Sequence, residues 1–259
     1  MWDRGVVEPE LKGAPLLTLL AERFAPITES FGFLEVPLNE AVEAFGDWRR
    51  RLHRAVAVTP LSAGFPESLR ALEPLVAGSS PREMLVSAGK WTVYFDCEAN
   101  GTDAVSVVGH LSRLLKCQAV LVTSTPDIRY VPGVTPGRSG QVLWELLGPI
   151  ETDFLNYVRS VGVTFDEGRW RFDASGTVQD FEDTQAYASR RIRDRFNSEM
   201  LERYCREMGI DVFNPDFYGP ECVLFDSVLN VESKRRRETI AEAQARLGIV
   251  PGAADSLPG

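Results

Sequence analysis

Asp96, Glu98, Asn100 and Asp103 lie close together in the chain, between the apolar run Trp91–Cys97 and a helical pattern that opens at Ala104. Carboxylate and amide oxygens at that spacing could hold a cation or a polar ligand. Strand ends that face helix starts are also where α/β proteins bind ligands. The same stretch, Asn100-Gly-Thr-Asp103, is equally a turn followed by a Thr102-Asp103 helix cap, which is the simpler reading.

The second concentration of chemistry is basic. Arg190, Arg191, Arg193 and Arg195 crowd a segment, Asp183–Phe196, that is expected to be helical. On a helix Arg191 and Arg195 would share a face and could grip a phosphate or a carboxylate. The alternative is that they pair with Glu182, Asp183 or Asp194 on a solvated face. A small-molecule enzyme or ligand-binding protein built on this chain would use Asp96, Asp103, Arg191 and Arg195, with His110 as a further ligand-binding candidate.

Histidine is scarce, with only His53 and His110. His110 falls about 60° from Val107 and about 40° from Leu114 around a helix, at the edge of an apolar stripe. No second ligand or base partner stands three or four residues away, so a local structural role is expected. His53 sits in RRRLHR at a helix end, where a cation answers the dipole. The chain has no H-x-x-x-H, no G-x-S-x-G elbow, no P-loop and no G-x-G-x-x-G fingerprint, so no metal, cofactor or catalytic residue is assigned. Cys97, Cys117, Cys205 and Cys222 lack C-x-x-C spacing and fit free thiols in a reducing cytoplasm.

Aromatic residues in loops offer a different function. Tyr130 and Arg138 belong to the Pro/Gly-rich stretch 127–139. Phe213, Phe217 and Tyr218 belong to the loop 211–219. Such residues are typical anchors for a protein partner, or they plug the edge of a core. The net charge of −9 disfavours a nucleic-acid backbone or an anionic membrane and favours a basic partner. The N-terminal segment reads as neither a signal peptide nor a membrane span.

The elements that must carry these residues follow from periodicity. Strands are expected at Phe31–Val36, Ala55–Leu61, Met84–Ser87, Trp91–Cys97, Ala119–Thr123, Val142–Leu147 and Cys222–Val228. A hairpin is expected at Val161–Phe165 and Arg169–Asp173 around a three-residue loop, Asp166-Glu167-Gly168. Helices are expected near Leu16–Phe24, from Pro37, from Pro66, from Ala104, at Asp153–Arg159, at Asp183–Phe196, after Asn197, and after a capping box at Thr239–Glu242. Segments 31–62 and 91–126 share a strand-helix-strand layout. The fold class is α+β, with a mixed sheet built from these two units plus a C-terminal hairpin and helices. The expected division is an N-terminal α/β lobe (1–126), a C-terminal α+β lobe packed on it (127–230), and a connector, terminal helix and tail (231–259).

The run GRWRFDASG…FEDTQAYASRRIRDRFNSEMLERYCREMGIDVFNPDFYG, together with WTVYFD…VSVVGHLSRLLKCQAVLVT, resembles a group of bacterial proteins of actinobacterial type with no assigned activity. In that group a tryptophan hairpin precedes an RRIRDRF helix and an ML-x-x-Y helix. The general layout also resembles acidic cytoplasmic immunity proteins that neutralise bacterial toxins. Acidity, scarce histidine, the lack of a cofactor motif and the loop aromatics lead to the expectation of a cytoplasmic, non-catalytic protein-binding module, immunity-like, with a basic partner. A homo-oligomeric scaffold is the remaining alternative.

Overall fold

The computed structural model describes residues 16–53, 55–102, 104–128, 133, 137–152, 155–228 and 235–252. Along them run β1 (Ser30–Leu34), α1 (Leu38–Leu52), β2 (Ala55–Leu61), β3 (Leu75–Val76), β4 (Arg82–Ala88), β5 (Trp91–Asp96), α2 (Ala104–Leu115) and β6 (Ala119–Thr125). There follow β7 (Gln141–Leu147), β8 (Tyr157–Asp166), β9 (Arg169–Gly176), α3 (Ser198–Glu207), β10 (Cys222–Val228), β11 (Arg237–Glu238) and α4 (Ile240–Leu247).

β3 and β11 form a small ladder of their own, and the other nine strands make one sheet in the order β2-β10-β4-β5-β1-β6-β7-β8-β9. The class is α+β, as the alternation of strand and helix patterns predicts. The sheet is antiparallel at every neighbouring pair rather than mixed. The strand-helix-strand units are nevertheless present. β5 and β6 are both antiparallel to β1, which lies between them. They therefore run parallel to each other, with α2 as their crossover. β1 and β2 are related in the same way through α1, with β5, β4 and β10 filling the gap. Parallel strands need such a crossover; here one gap is filled by the single antiparallel strand β1 and the other by the three strands β5, β4 and β10.

The expected boundary at 126/127 does not separate two lobes. β6 pairs with β7 across it, and β10 returns to lie between β2 and β4. Both supposed lobes thus supply strands to a single sheet.

One face of the sheet packs Leu85, Tyr94, Leu121 and Phe225 beneath Phe45 of α1 and Val108 and Leu111 of α2. α2 approaches β1 at Gly32, where a Cβ would stand 2.6 Å from Val108 Cγ2, so a side chain there would push the helix off. The opposite face buries Phe31, Phe33, Phe95, Val122 and Trp144 beneath Leu201 and Tyr204 of α3 and the surrounding turns.

Local signals hold where they are chemically specific. Asn197 accepts the Met200 amide at the start of α3, and Ile210 N–H reaches Cys205 O in the Schellman bond expected past Gly209. The Thr239/Glu242 capping box is formed. Other expectations are corrected. The helix predicted from Pro66 is a 3₁₀ segment, Glu67–Leu72, and the one near Leu16–Phe24 is a 3₁₀ turn, Leu19–Glu22. Residues 157–159 of the predicted Asp153–Arg159 helix belong to β8. The β8–β9 turn has two residues, Glu167 and Gly168, both with positive φ, because such a turn matches the twist of a hairpin. The Arg-rich helix is also absent. Asp183–Phe196 contains only the 3₁₀ turns Ala186–Ala188 and Ile192–Asp194, with Arg191 in an extended conformation.

Candidate functional site

A Gly89-Lys90 turn joins β4 to β5, so Ala88 pairs with Trp91 and the register puts Glu83 directly opposite Asp96. Alternation along the strands places both on the face of Leu85 and Tyr94, under α1. Glu83 is 0% exposed and Asp96 2%. Like charges facing each other across a ladder repel, and buried carboxylates need partners.

The partners come from two elements. Near its C-terminal end α1 sends Arg49 down to Glu83 Oε1. From β5, the Tyr94 hydroxyl lies 2.7 Å from the same Glu83 oxygen and 3.3 Å from Asp96 Oδ2. Asp96 Oδ1 accepts the Glu98 amide at 2.9 Å, and the Ser80 and Thr102 hydroxyls also reach this carboxyl. Glu83 Oε2 and Arg49 Nε have no hydrogen-bond partner among the described residues. Burial, the largest influence on each, pushes the Glu83 carboxyl up to about 7 and the Asp96 carboxyl up to about 6. Arg49 pulls the other way at Glu83 but does not cancel the burial. Burial also holds the Tyr94 phenol protonated, and both carboxylates reinforce it.

Above this cluster the Arg49 guanidinium lies 4.2 Å from the Trp48 ring and 4.9 Å from the Phe45 ring. Trp48 stacks on His110 of α2 at 4.1 Å. Burial lowers the His110 pKa, and Arg113 and Arg49 add to the effect, so the imidazole is a neutral stacking partner at the border of the core. His53 is likewise pushed down by burial and by Arg49, which corrects its expected role as a cation at the end of α1. The arrangement can hold and exchange a proton in a closed space, under an arginine that caps it.

The other candidates lie elsewhere. Asp103 and Tyr130 fall outside the described residues. Arg191 and Arg195 do not meet Asp96: they belong to the segment packed on β9, five strands from β5 in the sheet order, on the order of 24 Å away at ordinary strand spacing. Arg193 lies over Trp170 and Arg195 over Phe172, while Arg191 and Asp194 approach at 3.8 Å. Arg138 is not a surface residue: it is buried between Glu22 and Glu29, and burial lifts the Glu29 carboxyl to about 7. Tyr218 is 5% exposed, stacked on Phe65 with its hydroxyl on Val212 O, so it plugs the core. Phe213 and Phe217 are partly buried against the same cluster. All four cysteines are free and buried.

The signal that sequence reading missed was Glu83. It falls in phase with Leu85 on a strand, so it must face the core, and a tight turn at Gly89 puts it opposite Asp96. Arg49 stands first in the RRRLHR run at the end of α1, where nothing local marks it as the partner of a strand residue.

The surface feature that stands apart is β2. Among the described residues it pairs only with β10 and forms one edge of the sheet. Its residues AVAVTPL carry no charge, and Ala55, Ala57 and Thr59 are exposed. Val228 beside Ala55 is 54% exposed, and Leu52 at the end of α1 43%. The other edge, β9, carries Arg169, Arg171 and Asp173 and is flanked by the arginine turns. No helix among the described residues is long and apolar enough to cross a membrane. No family model, characterised protein or solved structure matches the chain.

Proposed function

We propose that this chain is a non-catalytic protein-binding module of the immunity type, and that its working surface is the edge strand β2 with the ground around it. The reading rests on one observation: among the described residues β2 is uncharged, exposed on one face and unpaired along one side. Edge strands in natural proteins are commonly protected by charge, bulges or cover, because an open edge templates another strand. On β2 the main safeguard in the sequence is Pro60, which removes one N–H donor. An extended segment of a partner can add there through backbone hydrogen bonds, with Leu52 and Val228 offering apolar contact. Beside the strand, α1 exposes Glu40, Glu43 and Asp47 along one side. Together with the net charge of −9, this favours a basic partner by steering its approach.

The test is binding by edge-blocked variants. Ala57→Lys combined with Thr59→Lys places like charge along the edge, and Ser175→Lys on β9 is the control. A partner recovered from the source organism should bind the wild type and the control alike, and should bind the β2 variant at least about tenfold more weakly. Hydrogen exchange in the complex should show new protection at β2. Protection confined to another surface, or full binding by the β2 variant, would overturn the reading. Light scattering on the isolated chain covers self-association: a dimer abolished by the β2 variant would make the partner a second copy.

A further inference from the structure

The strongest feature outside that surface is the buried pair beneath α1. Tyr94 has one hydroxyl proton and two carboxyl neighbours. The proton goes to Glu83 Oε1, the nearer oxygen at 2.7 Å, where Arg49 also donates and favours the ionised form. The 3.3 Å approach of Asp96 Oδ2 to the same hydroxyl then sets lone-pair oxygens face to face unless the carboxyl pair holds a proton of its own. Among the described residues no cation contacts Asp96, whose donors are the Glu98 amide and the Ser80 and Thr102 hydroxyls, whereas Glu83 has Arg49 and an Oε2 without a partner. Two carboxyls so close titrate as a pair, and the shared proton belongs to both.

We propose that Glu83 and Asp96 hold one proton between them up to near neutrality, with the Tyr94 hydroxyl as the bridge, and that this chain of hydrogen bonds fastens the C-terminal end of α1 through Arg49. The groups facing the pair are Arg49 from α1, Glu83 from β4, Tyr94 from β5, and Ser80, Thr102 and the Glu98 amide from the adjoining loops. From α2, His110 reaches it only through Trp48, and β10 contributes the apolar Phe225. Arg82 and Asp226 pair with each other; strand alternation puts them on the opposite face. Loss of the proton leaves two facing carboxylates with one guanidinium, and the repulsion acts on the contact that holds α1 down. This inference does not depend on what binds at β2.

Asp96→Asn tests it, because the amide keeps an acceptor for Glu98 N–H and a permanent donor toward Tyr94. The wild type should lose several degrees of thermal stability between about pH 6 and about pH 8, with falling exchange protection at the last turn of α1. Asp96→Asn should keep most of both. Carbon NMR of the wild-type Glu83 and Asp96 side chains should show one proton still held by the pair at about pH 6, well above the ordinary carboxylate range. Both carboxyls already ionised there would overturn the proposal. So would an Asp96→Asn chain that folds yet loses stability and α1 protection with pH as the wild type does. If the variant fails to fold, the NMR titration of the wild type decides.

Discussion

Two buried networks in this molecule use the same residue types and end in opposite states. In the β8–β9 region Arg159 donates to both oxygens of Glu182, at 2.9 and 2.7 Å. Glu182 also accepts the Gln179 amide and the Tyr187 hydroxyl, and Tyr187 meets Tyr204 at 2.9 Å. Burial pushes the Glu182 carboxyl up, but these donors outweigh it and hold it below its ordinary value. Under α1, Glu83 receives Arg49 and Tyr94 on one oxygen and nothing on the other, and its carboxyl rises to about 7. The number of donors per carboxylate, rather than the presence of an arginine, decides whether a buried acid is a fixed rivet or a titrating latch.

The largest expected effect comes from removing the guanidinium in each. Arg159→Met strands an ionised Glu182 and should cost about 3–5 kcal/mol in urea unfolding. Arg49→Met should cost about half as much at pH 6, because Glu83 can neutralise itself with a proton, and the two costs should converge as pH rises toward 8. Equal costs at pH 6 would remove the distinction between the networks.

The next effect is the pH dependence of stability. Glu83 and Glu29 both rise from 4.5 to about 7 on folding. The folded chain therefore binds more protons than the unfolded one within that window. Each contribution is complete below the lower value and is lost as pH climbs to the upper, on the order of 3 kcal/mol per group. Glu182 has the opposite sign: its contribution is present above its ordinary value and lost on acidification. Glu83→Gln should flatten the fall between pH 5 and 8, and Glu182→Gln should leave that fall unchanged. Denaturant titrations across the range measure both slopes.

The smallest and sharpest test is the pair of tyrosines. Tyr94→Phe and Tyr187→Phe should each cost about 1–2 kcal/mol. Only Tyr94→Phe should move the alkaline limb of the stability profile, because only there does the hydroxyl bridge two acids.

Much of the scaffold was legible because its signals are local. Residues 55–61 and 222–228 alternate as strands, Asn197 caps a helix, and Thr239 with Glu242 closes a capping box. The failures share a cause of longer range. Asp183–Phe196 has helical composition, yet Glu182, Tyr187 and Arg195 are drawn into contacts with β8, α3 and β9, which break the segment into turns. Asp96 could be picked out from its place at a strand end, but its partners Glu83 and Arg49 come from two other elements, and only the register and the crossover of α1 bring them together. Of the two readings open for the loop aromatics, Tyr218 takes the core one, because it satisfies its hydroxyl on nearby backbone and can therefore be buried.

The place of β10 has a consequence for how the chain is made. Its neighbours β2 and β4 emerge early in synthesis, whereas β10 spans Cys222–Val228. Until it arrives, β2 has no strand to pair with and β4 has an open side, so the growing chain carries unsatisfied backbone on two strands while most of the sheet can already close. Late, distant pairings of this kind are slow and leave the chain exposed to association with its neighbours. The last strand is thus the closing piece of the sheet, and a chain halted just short of Cys222 would be a sticky, half-zipped molecule.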